Sequence, residues 1–268
     1  SNYPGTTVEV ARAPLRFERE ATLLDTPGVL AFPSRSFDER AAMRALLDER
    51  ARALVQVADA KHLRRSLAIT LTLAETGLPL VLALNMSDEA AARGVRLDLP
   101  ALAQALGIDV VPTVATLGEG VGRLGEAMRA ARIPRARVHY PPAVEAAIAT
   151  AAQRIATRVA PLPFAARALA VLLLARDPEV EQWLAERDPD LARELAASRD
   201  AEEAGSGRFA AAIAHARAEA AGTLAARVEL AAPRPVESRA QKLGRLALDR
   251  LWGIPILLVV LYATYLVV

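Results

Sequence analysis

The chain has 268 residues, enough for one large domain or two ordinary ones. Its formal net charge of +2 gives no field strong enough to indicate a nucleic-acid partner. The absence of cysteine excludes disulfides, thiolate metal sites and a cysteine nucleophile within this stretch, and the three histidines are too dispersed for a ligand-spaced metal cluster.

Residues 1–133 alternate short apolar runs with helical patterns. Four runs have the length of a buried strand and end on small or polar residues; they read TLLDTPG, ALVQVADA, LPLVLALNMSD and IDVVPTVAT. Four helical patterns lie between them: SFDERAAMRALLDERAR, HLRRSLAITLTLAETG, DLPALAQALG and EGVGRLGEAMRAAR. The first has Ser36 or Asp38 as its N-cap, and the second ends at Gly77. The third is capped by Asp98 and ends at Gly107. The alternation predicts an α/β domain of parallel βα units, with functional residues at the carboxyl ends of the strands.

Residues 134–235 are rich in Ala, Leu and Arg and contain few β-branched runs. Amphipathic helical patterns fill this region, with prolines between them; they read PPAVEAAIATAAQRIATRVA, FAARALAVLLLARD, PEVEQWLAERD and GRFAAAIAHARAEAAGTLAARVEL. We therefore expect a small all-α helical domain after the α/β domain.

Residues 251–268 contain no charged side chain, and a basic segment, residues 236–250, precedes them. The uncharged run is about long enough to begin a membrane span, which needs ~20 residues. The basic residues in front of it predict a cytoplasmic N-terminal side; they are Arg239, Lys242, Arg245 and Arg250. The alternative is a buried C-terminal helix of a soluble protein.

The run TLLD ends at Asp25 and continues Thr-Pro-Gly. A carboxylate at a strand end can hold Mg²⁺, and the backbone N–H of Gly28 can reach a γ-phosphate. Ordinary turns use the same residue types, so this tetrapeptide alone favours a turn. Val29 follows, so this position holds no Gln that could orient an attacking water. Arg35 and Arg40 lie nearby, and we expect them to be solvated surface residues.

The run LPLVLALN ends at Asn85, and Asp88 follows three residues later. A carboxylate here can accept hydrogen bonds from the ring N–H and the exocyclic amino group of guanine, whereas adenine would leave polar groups unpaired. The Asn85 amide can brace the loop and reach the base. The alternative is that Asp88 only caps the helix EAAARG, and both interpretations can hold together.

Two further segments are candidates for nucleotide contacts. In SNYPGTTVEV, Thr6 or Thr7 could give a hydroxyl to Mg²⁺ and a backbone N–H to the γ-phosphate, although the Pro-Gly pair also fits a turn that enters a strand. In VVPTVATLGEG, the strand is followed by Ala115 and Thr116, whose backbone N–H groups can be offered to a base oxygen.

The order and spacing of these four segments are those of a GTPase domain. The stretches NYPGTTVE, DTPG, VADAKHLRRSLAITLTLAETGLPLVLALNMSDEA, LGIDVVPTVATLGEGVGRL and DRLWGIPILLVV resemble the FeoB family, ferrous iron transport protein B. The resemblance covers all three regions. It implies a P-loop GTPase-like domain, a helical linker domain and entry into a polytopic membrane domain, at the inner membrane of a bacterium with this portion cytoplasmic. It also implies GTP or GDP and Mg²⁺ as cofactors, and Fe²⁺ as the ion transported by the membrane portion.

The resemblance assigns roles to individual residues. Thr7 is similar to the threonine that binds Mg²⁺ and senses the γ-phosphate, and Asp25 and Gly28 match the Asp and Gly of the third motif. Asn85 and Asp88 match the guanine-reading pair. Met86 stands where most GTPases have Lys, and Met is typical of the family at this position. Ala115 and Thr116 fall in the fifth motif, where Ala115 replaces the usual Ser. Asp59 and Ala60 are interpreted as structural.

The sequence contains no Gly-x-x-x-x-Gly-Lys-Ser/Thr, the loop that cradles phosphates. By resemblance this loop and the first strand lie just upstream, so we expect a chain truncated at both ends rather than a degenerate GTPase. The missing strand belongs in the middle of the sheet, so the strands ending at Asp25 and Asp59 must leave a gap, close up or recruit a partner. We expect the chain alone to be poorly stable and to bind GTP weakly or not at all.

Two other functions compete with this interpretation. One is a soluble regulatory GTPase of the ribosome-assembly or tRNA-modification kind, which the lack of a basic, aromatic-rich surface disfavours. The other is a non-enzymatic scaffold with a GTPase-like fold, supported only by the absent phosphate loop. No iron ligand is expected within this stretch.

Overall fold

The computed structural model describes residues 10–15, 18–29, 31–49, 51–206, 208–230 and the isolated positions 254, 255, 262, 264 and 265. Thr7 and the basic segment 236–250 lie outside the described residues, as does most of the uncharged run. In the described parts of the chain, no helix is both long enough and apolar enough to cross a membrane. Ser1–Leu230 and Ala231–Val268 form two separate compact units.

The first unit begins as alternating strands and helices and continues as helices. In chain order its elements are β1 (Ala11–Leu15), β2 (Glu18–Asp25), α1 (Phe37–Asp48), β3 (Leu54–Asp59), α2 (Leu63–Glu75), β4 (Leu80–Asn85), α3 (Ser87–Ala92), β5 (Arg96–Leu97), α4 (Leu99–Leu106), β6 (Asp109–Pro112), α5 (Val121–Arg129), α6 (Pro142–Arg158), α7 (Ala166–Leu174), α8 (Pro178–Arg187), α9 (Pro189–Ser206), α10 (Phe209–Val228) and β7 (Glu229–Leu230). This order confirms the predicted α/β region followed by an all-α region.

The central sheet is parallel, with strand order β3-β4-β6. Its middle strand, β4, is buried from Leu80 to Leu84, as its unbroken apolar run predicts for a strand covered on both faces. Asp59 pairs in register with Asn85, so β3 and β4 end side by side at the carboxyl edge of the sheet. The parallel register therefore brings the residues that follow these strands to one edge.

The strand that ends at Asp25 lies outside this sheet. β2 pairs antiparallel with β1 in a separate two-stranded sheet, and no described strand joins β2 to β3. Among the described residues, the strands ending at Asp25 and Asp59 are not hydrogen-bonded to each other, and which of the three expected outcomes holds stays a prediction. The prediction that β2 is buried was wrong: Leu23 is 42% exposed, because β2 pairs only with β1 and none of the described elements forms a layer over this ribbon. On β3, Val57 is 67% exposed.

The helix ends follow local signals. Ser36, not Asp38, is the N-cap of α1, where its hydroxyl accepts from Glu39 N–H and the Glu39 carboxylate accepts from Ser36 N–H in a capping box. Asp98 caps α4, and Gly107 ends that helix with φ of 72°, a left-handed conformation that glycine adopts without strain. These residue types satisfy backbone groups that a helix leaves open, which explains why sequence alone located both helices.

Within the described residues of the second region there are five helices, α6 to α10, one more than the patterns predicted. The missed helix is α9, whose sequence PDLARELAASRDAEEAGS carries too many charged residues to show a clear apolar face. In contrast, α7 is buried at every residue from Ala168 to Leu174, so it forms the centre of this region.

The two regions of the first unit are joined along α10. This helix packs against α2 and α4, and at its end β7 pairs antiparallel with β5. The backbone N–H of Asp98 donates to the carbonyl of Val228 at 2.8 Å beside this pairing. The end of the helical region is thus hydrogen-bonded to the α/β region.

Candidate functional site

The candidate site lies at the carboxyl edge of the central sheet, where Asn85 ends β4. The Asn85 side-chain oxygen accepts a hydrogen bond from the backbone N–H of Ala115 at 3.0 Å and one from the Thr113 hydroxyl at 3.3 Å. Asn85 therefore braces the loop after β6, as the sequence indicated. Its contact with a base stays a prediction.

This brace uses the donor that was expected to serve the base. The Ala115 N–H is bonded to Asn85 in this structure, and its contact with a base oxygen stays a prediction. Thr116 follows in an exposed 3₁₀ turn, Ala115–Leu117, and its backbone N–H has no acceptor among the residues that the structure describes. Of the two predicted loop residues, Thr116 is thus the one with an available donor.

Asp88 is the second residue of α3, and its side chain is exposed. No described residue forms a hydrogen bond or an ion pair with its carboxylate. The alternative that Asp88 caps the helix was wrong, because the cap position precedes the helix and is occupied by Met86. Asp88 instead lies within the first turn, where its charge favours the helix dipole and its oxygens stay available.

Met86 precedes α3 in a left-handed conformation, with φ of 58° and ψ of 35°, which is uncommon for a residue other than glycine. Two hydrogen bonds hold the next residue: Ser87 donates from its backbone N–H at 3.3 Å and from its hydroxyl at 3.1 Å to the carbonyl of Thr113. The chain therefore turns sharply between β4 and α3 and is fixed to the loop after β6.

Lys61 joins the other side of this turn, a contact that the sequence did not indicate. Its Nζ lies 2.7 Å from Glu89 Oε2 and 3.1 Å from Met86 Sδ, and its side chain is only 10% exposed. The sole hint in the sequence is that Lys61 closely follows the end of β3. Because β3 and β4 end side by side, residues after the two strands come within reach of each other.

Asp59 organises the backbone before Lys61. Its carboxylate accepts from Lys61 N–H at 2.8 Å and lies 3.1 Å from His62 Nδ1. Burial opposes ionisation of Asp59, but the Lys61 N–H and His62 outweigh it and hold the pKa of Asp59 below its usual value. Asp59 thus has the structural role expected of it.

Asp25 and Gly28 follow β2 and are both exposed. The Asp25 carboxylate has no hydrogen-bonding partner among the described residues, and a Cβ added to Gly28 would meet no atom within 4 Å. No hydrogen bond or ion pair of the described chain joins them to Asn85 or Asp88. The structure therefore brings together Asn85, Asp88 and the loop after β6, whereas Asp25 ends β2 of the separate two-stranded sheet and Gly28 follows it.

A buried carboxylate holds the segment after Gly28. Glu39 Oε1 accepts from Ala31 N–H at 3.0 Å, and Oε2 accepts from Arg35 N–H at 2.9 Å. Arg35 is exposed, as expected. These bonds hold the segment against the start of α1.

The same segment is bonded to the helical region. Ser34 donates from its backbone N–H at 2.7 Å and its hydroxyl at 2.8 Å to Asp177 Oδ2, and both residues are buried. Arg40 is exposed, as expected, and its Nε also lies 2.6 Å from Glu179 Oε1 of α8, which packs against α1. Arg44 forms a further ion pair with Glu186 of α8 at 2.7 Å.

The described residues contain no group of three or more His, Asp or Glu side chains that could hold a metal ion. Asp25 is a single exposed carboxylate. That arrangement fits Mg²⁺ in the mode in which one or two carboxylates and the substrate's phosphates bind it and several waters remain.

Two family profiles match the chain. One, described as ferrous iron transport protein B, matches residues 1–128, and the other, described as the FeoB cytosolic helical domain, matches residues 140–228. The two matches correspond to the α/β region and the helical region of the structure.

Curated relatives carry the same description. The chain is 34% identical over 199 residues to an Fe(2+) transport protein A/Fe(2+) transporter FeoB fusion protein of Porphyromonas gingivalis. The aligned residues cover 71% of this chain and 24% of that protein. It is 39% identical over 128 residues to the Fe(2+) transporter FeoB of Salmonella typhimurium, and that alignment covers 46% of this chain and 17% of that protein. The chain thus spans a quarter or less of the length of these relatives.

Solved structures share the fold. The cytosolic domain of L. pneumophila FeoB superposes with a TM-score of 0.71 at 24% identity, over 86% of this chain and 89% of that one. A point mutant of S. thermophilus NFeoB bound to GDP gives 0.71 at 27% identity, over 85% and 89%. Another point mutant of the same protein, bound to GMPPNP, gives 0.69 at 28% identity, over 84% and 88%.

Proposed function

Because the chain belongs to the family of ferrous iron transport protein B, we propose that it is the guanine-nucleotide-binding regulatory portion of a ferrous iron membrane transporter. One observation carries this proposal. At a single sheet edge, Asn85 braces the loop that holds Thr116, while the carboxylate of Asp88 stays free of described partners.

Asp88 is the guanine-selecting group in this proposal. A free carboxylate accepts hydrogen bonds from both the ring N–H and the exocyclic amino group of guanine, whereas adenine cannot satisfy the same pair of oxygens. Met86 lies between the two readers and shapes the turn that presents Asp88. Thr116 N–H supplies a donor for the base oxygen, and Asn85 keeps the two loops together.

Asp25, Gly28 and Thr7 form the phosphate-sensing half of the proposal. Asp25 and Thr7 would hold Mg²⁺, which neutralises charge on bound phosphates. The exposed position and unpaired carboxylate of Asp25 support this assignment. Since the sequence contains no phosphate-cradling loop, we propose that this chain alone binds GTP weakly and is not a competent GTPase.

The helical region relays the nucleotide state in this proposal. The segment after Gly28 is bonded to α8 through Ser34 and Asp177, so displacement of that segment would break two buried hydrogen bonds to the helical region. Fe²⁺ is the transported ion of the whole protein. We assign the chain to the cytoplasmic side of a bacterial inner membrane and residues 251–268 to the start of its first span, on the strength of their uncharged sequence.

The alternatives are weaker. A soluble GTPase of the ribosome or tRNA-modification kind would be expected to match other families, and the two profiles that match are both of FeoB. The non-enzymatic scaffold gives no reason for a free carboxylate beside a braced loop.

Exchange of Asp88 for Asn tests the proposed function. Xanthine has a carbonyl where guanine has an amino group, so Asp88→Asn should weaken GDP at least about tenfold and strengthen XDP, since a hydrogen bond to a charged group contributes about 1.5–3 kcal/mol. Binding is measured by calorimetry on this chain and on any longer chain that its gene encodes. Glu119→Gln, which removes a charge from an exposed position in the neighbouring loop, is the matched control.

Two results would contradict the proposal. Unchanged GDP affinity in Asp88→Asn would remove its basis, and micromolar GTP affinity of this chain alone would contradict the weak binding that we expect without a phosphate loop.

A further inference from the structure

Lys61 occupies an unusual position for a lysine. Its side chain is nine-tenths buried, although Lys is among the residues most often exposed. Its ammonium lies 2.7 Å from Glu89 Oε2, 3.1 Å from Met86 Sδ and 3.8 Å from Asp59 Oδ2. A desolvated charge needs such partners, and three of them converge on this one.

The contact partners of Lys61 belong to the segment that presents Asp88. Met86 and Glu89 lie two residues before and one residue after Asp88, and both touch Lys61. The Lys61 side chain therefore spans from the end of β3 to the turn and first helical residues after β4.

The helix α3 depends on tertiary contacts for its position. It has six residues, its N-cap has no side-chain hydrogen bond, and the cap residue Met86 is in a left-handed conformation. Helices this short are unstable by themselves, and a strained residue persists only where its surroundings fix it. The described tertiary bonds of α3 are those of Ser87 to the Thr113 carbonyl on one side and the Lys61–Glu89 pair on the other.

We propose that Lys61 is a positioning residue for guanine recognition. By pairing with Glu89 and packing on Met86, it fixes α3 so that the Asp88 carboxylate is held toward the base. Together with Arg93, whose Nη2 lies 3.9 Å from the same Glu89 oxygen, its charge offsets that of Glu89 beside Asp88. This inference rests on the proposed function for Asp88, and goes beyond it by adding a residue that touches no nucleotide.

The first arm of the test needs no nucleotide. Amide hydrogen exchange of the 268-residue chain should be about tenfold faster at residues 87–92 in Lys61→Ala than in the wild type, and close to wild type in Lys61→Arg. The chain has three methionines, so methyl-labelled methionine gives three resonances, and the Met86 resonance should move in Lys61→Ala alone. Arg65→Ala, which removes an equal charge from an exposed position nearby, is the control.

The second arm compares the affinities for GDP and IDP. IDP lacks the exocyclic amino group from which Asp88 accepts a hydrogen bond. At millimolar nucleotide, followed by the Met86 resonance, the wild type should prefer GDP, and Lys61→Ala should lower that preference about fivefold or more. Lys61→Arg should restore the preference for GDP. A merely structural loss would instead weaken the binding of GDP and IDP equally and leave the preference unchanged.

The outcomes separate the two ideas. Wild-type exchange at residues 87–92 in Lys61→Ala, or an unaltered GDP preference in that variant, overturns the role of Lys61. Equal affinity of the wild type for GDP and IDP overturns the proposed function of Asp88 and guanine positioning with it, and the nucleotide-free exchange then tells whether Lys61 still fixes α3.

Discussion

Replacement of Arg217 by Met tests the buried ion pair between the two regions of the first unit. Arg217 of α10 lies 2.9 Å from Glu75 Oε2 at the end of α2, and their side chains are 6% and 3% exposed. Tyr140 completes the group: its hydroxyl donates to Glu75 Oε2 at 2.8 Å and accepts from Arg217 Nε at 3.1 Å. Burial raises the pKa of Tyr140, which keeps it a neutral donor.

The expected cost follows from what Arg217→Met leaves behind. Glu75 would keep the Tyr140 hydroxyl as its only described partner, and Glu75 Oε1 already has none. Breaking a buried pair by removing one member costs about 3–5 kcal/mol, because the remaining charge stays desolvated. We therefore expect the free energy of unfolding to fall by about that amount, a large part of a total of ~5–15 kcal/mol.

The double variant Glu75→Leu/Arg217→Met separates this explanation from loss of packing. Apolar replacement of both charges is often neutral or stabilising, so the double variant should be more stable than Arg217→Met alone. Urea unfolding followed by circular dichroism gives the free energies. A loss below about 1 kcal/mol in Arg217→Met, or a double variant as unstable as the sum of the single ones, would refute the reasoning.

Two further predictions concern other polar contacts of the helical region. Asp177→Ala removes the N-cap of α8 and the buried acceptor of Ser34, so unfolding free energy in urea should fall by about 2–4 kcal/mol, whereas Asp177→Asn, which keeps an oxygen, should lose less. Hydrogen bonds from Arg167 lower the pKa of Glu145, so this contribution to stability is complete above the ordinary glutamate pKa and is lost as pH falls below it. The stability difference between wild type and Glu145→Gln should shrink between pH 7 and pH 3, and a constant difference across that range would contradict the assignment.

Local signals made much of the fold predictable. An unbroken apolar run identifies β4 as a strand covered on both faces, and the Asp98 and Gly107 pair delimits α4, because each signal acts within a few residues of the structure it specifies. The same runs placed Asn85 and Asp88 after one strand. Their proximity follows from the three-residue spacing, and the parallel sheet brings the loop after β6 beside Asn85.

The rest depended on contacts between distant residues. Ser34 and Asp177 are 143 positions apart, and Glu75 and Arg217 are 142 apart, so no periodicity connects either pair. Lys61 reaches Glu89, 28 positions away, only because two strands end in register. The exposure of β2 was also hidden, since an apolar run has the same sequence whether or not another layer covers it.

The pairing of β7 with β5 has a mechanical consequence. Because the last turn of α10 and the strand after it are hydrogen-bonded to the α/β region, and Arg217 is anchored midway along the same helix, α10 is fastened at two points. A rotation of the helical region about the connection before α6 would therefore have to break the β5–β7 pairing at Leu230 and the Arg217–Glu75 pair. It would also have to break the bonds of Ser34, Arg40 and Arg44 to the start and body of α8, so such a rotation requires several polar contacts to be lost together.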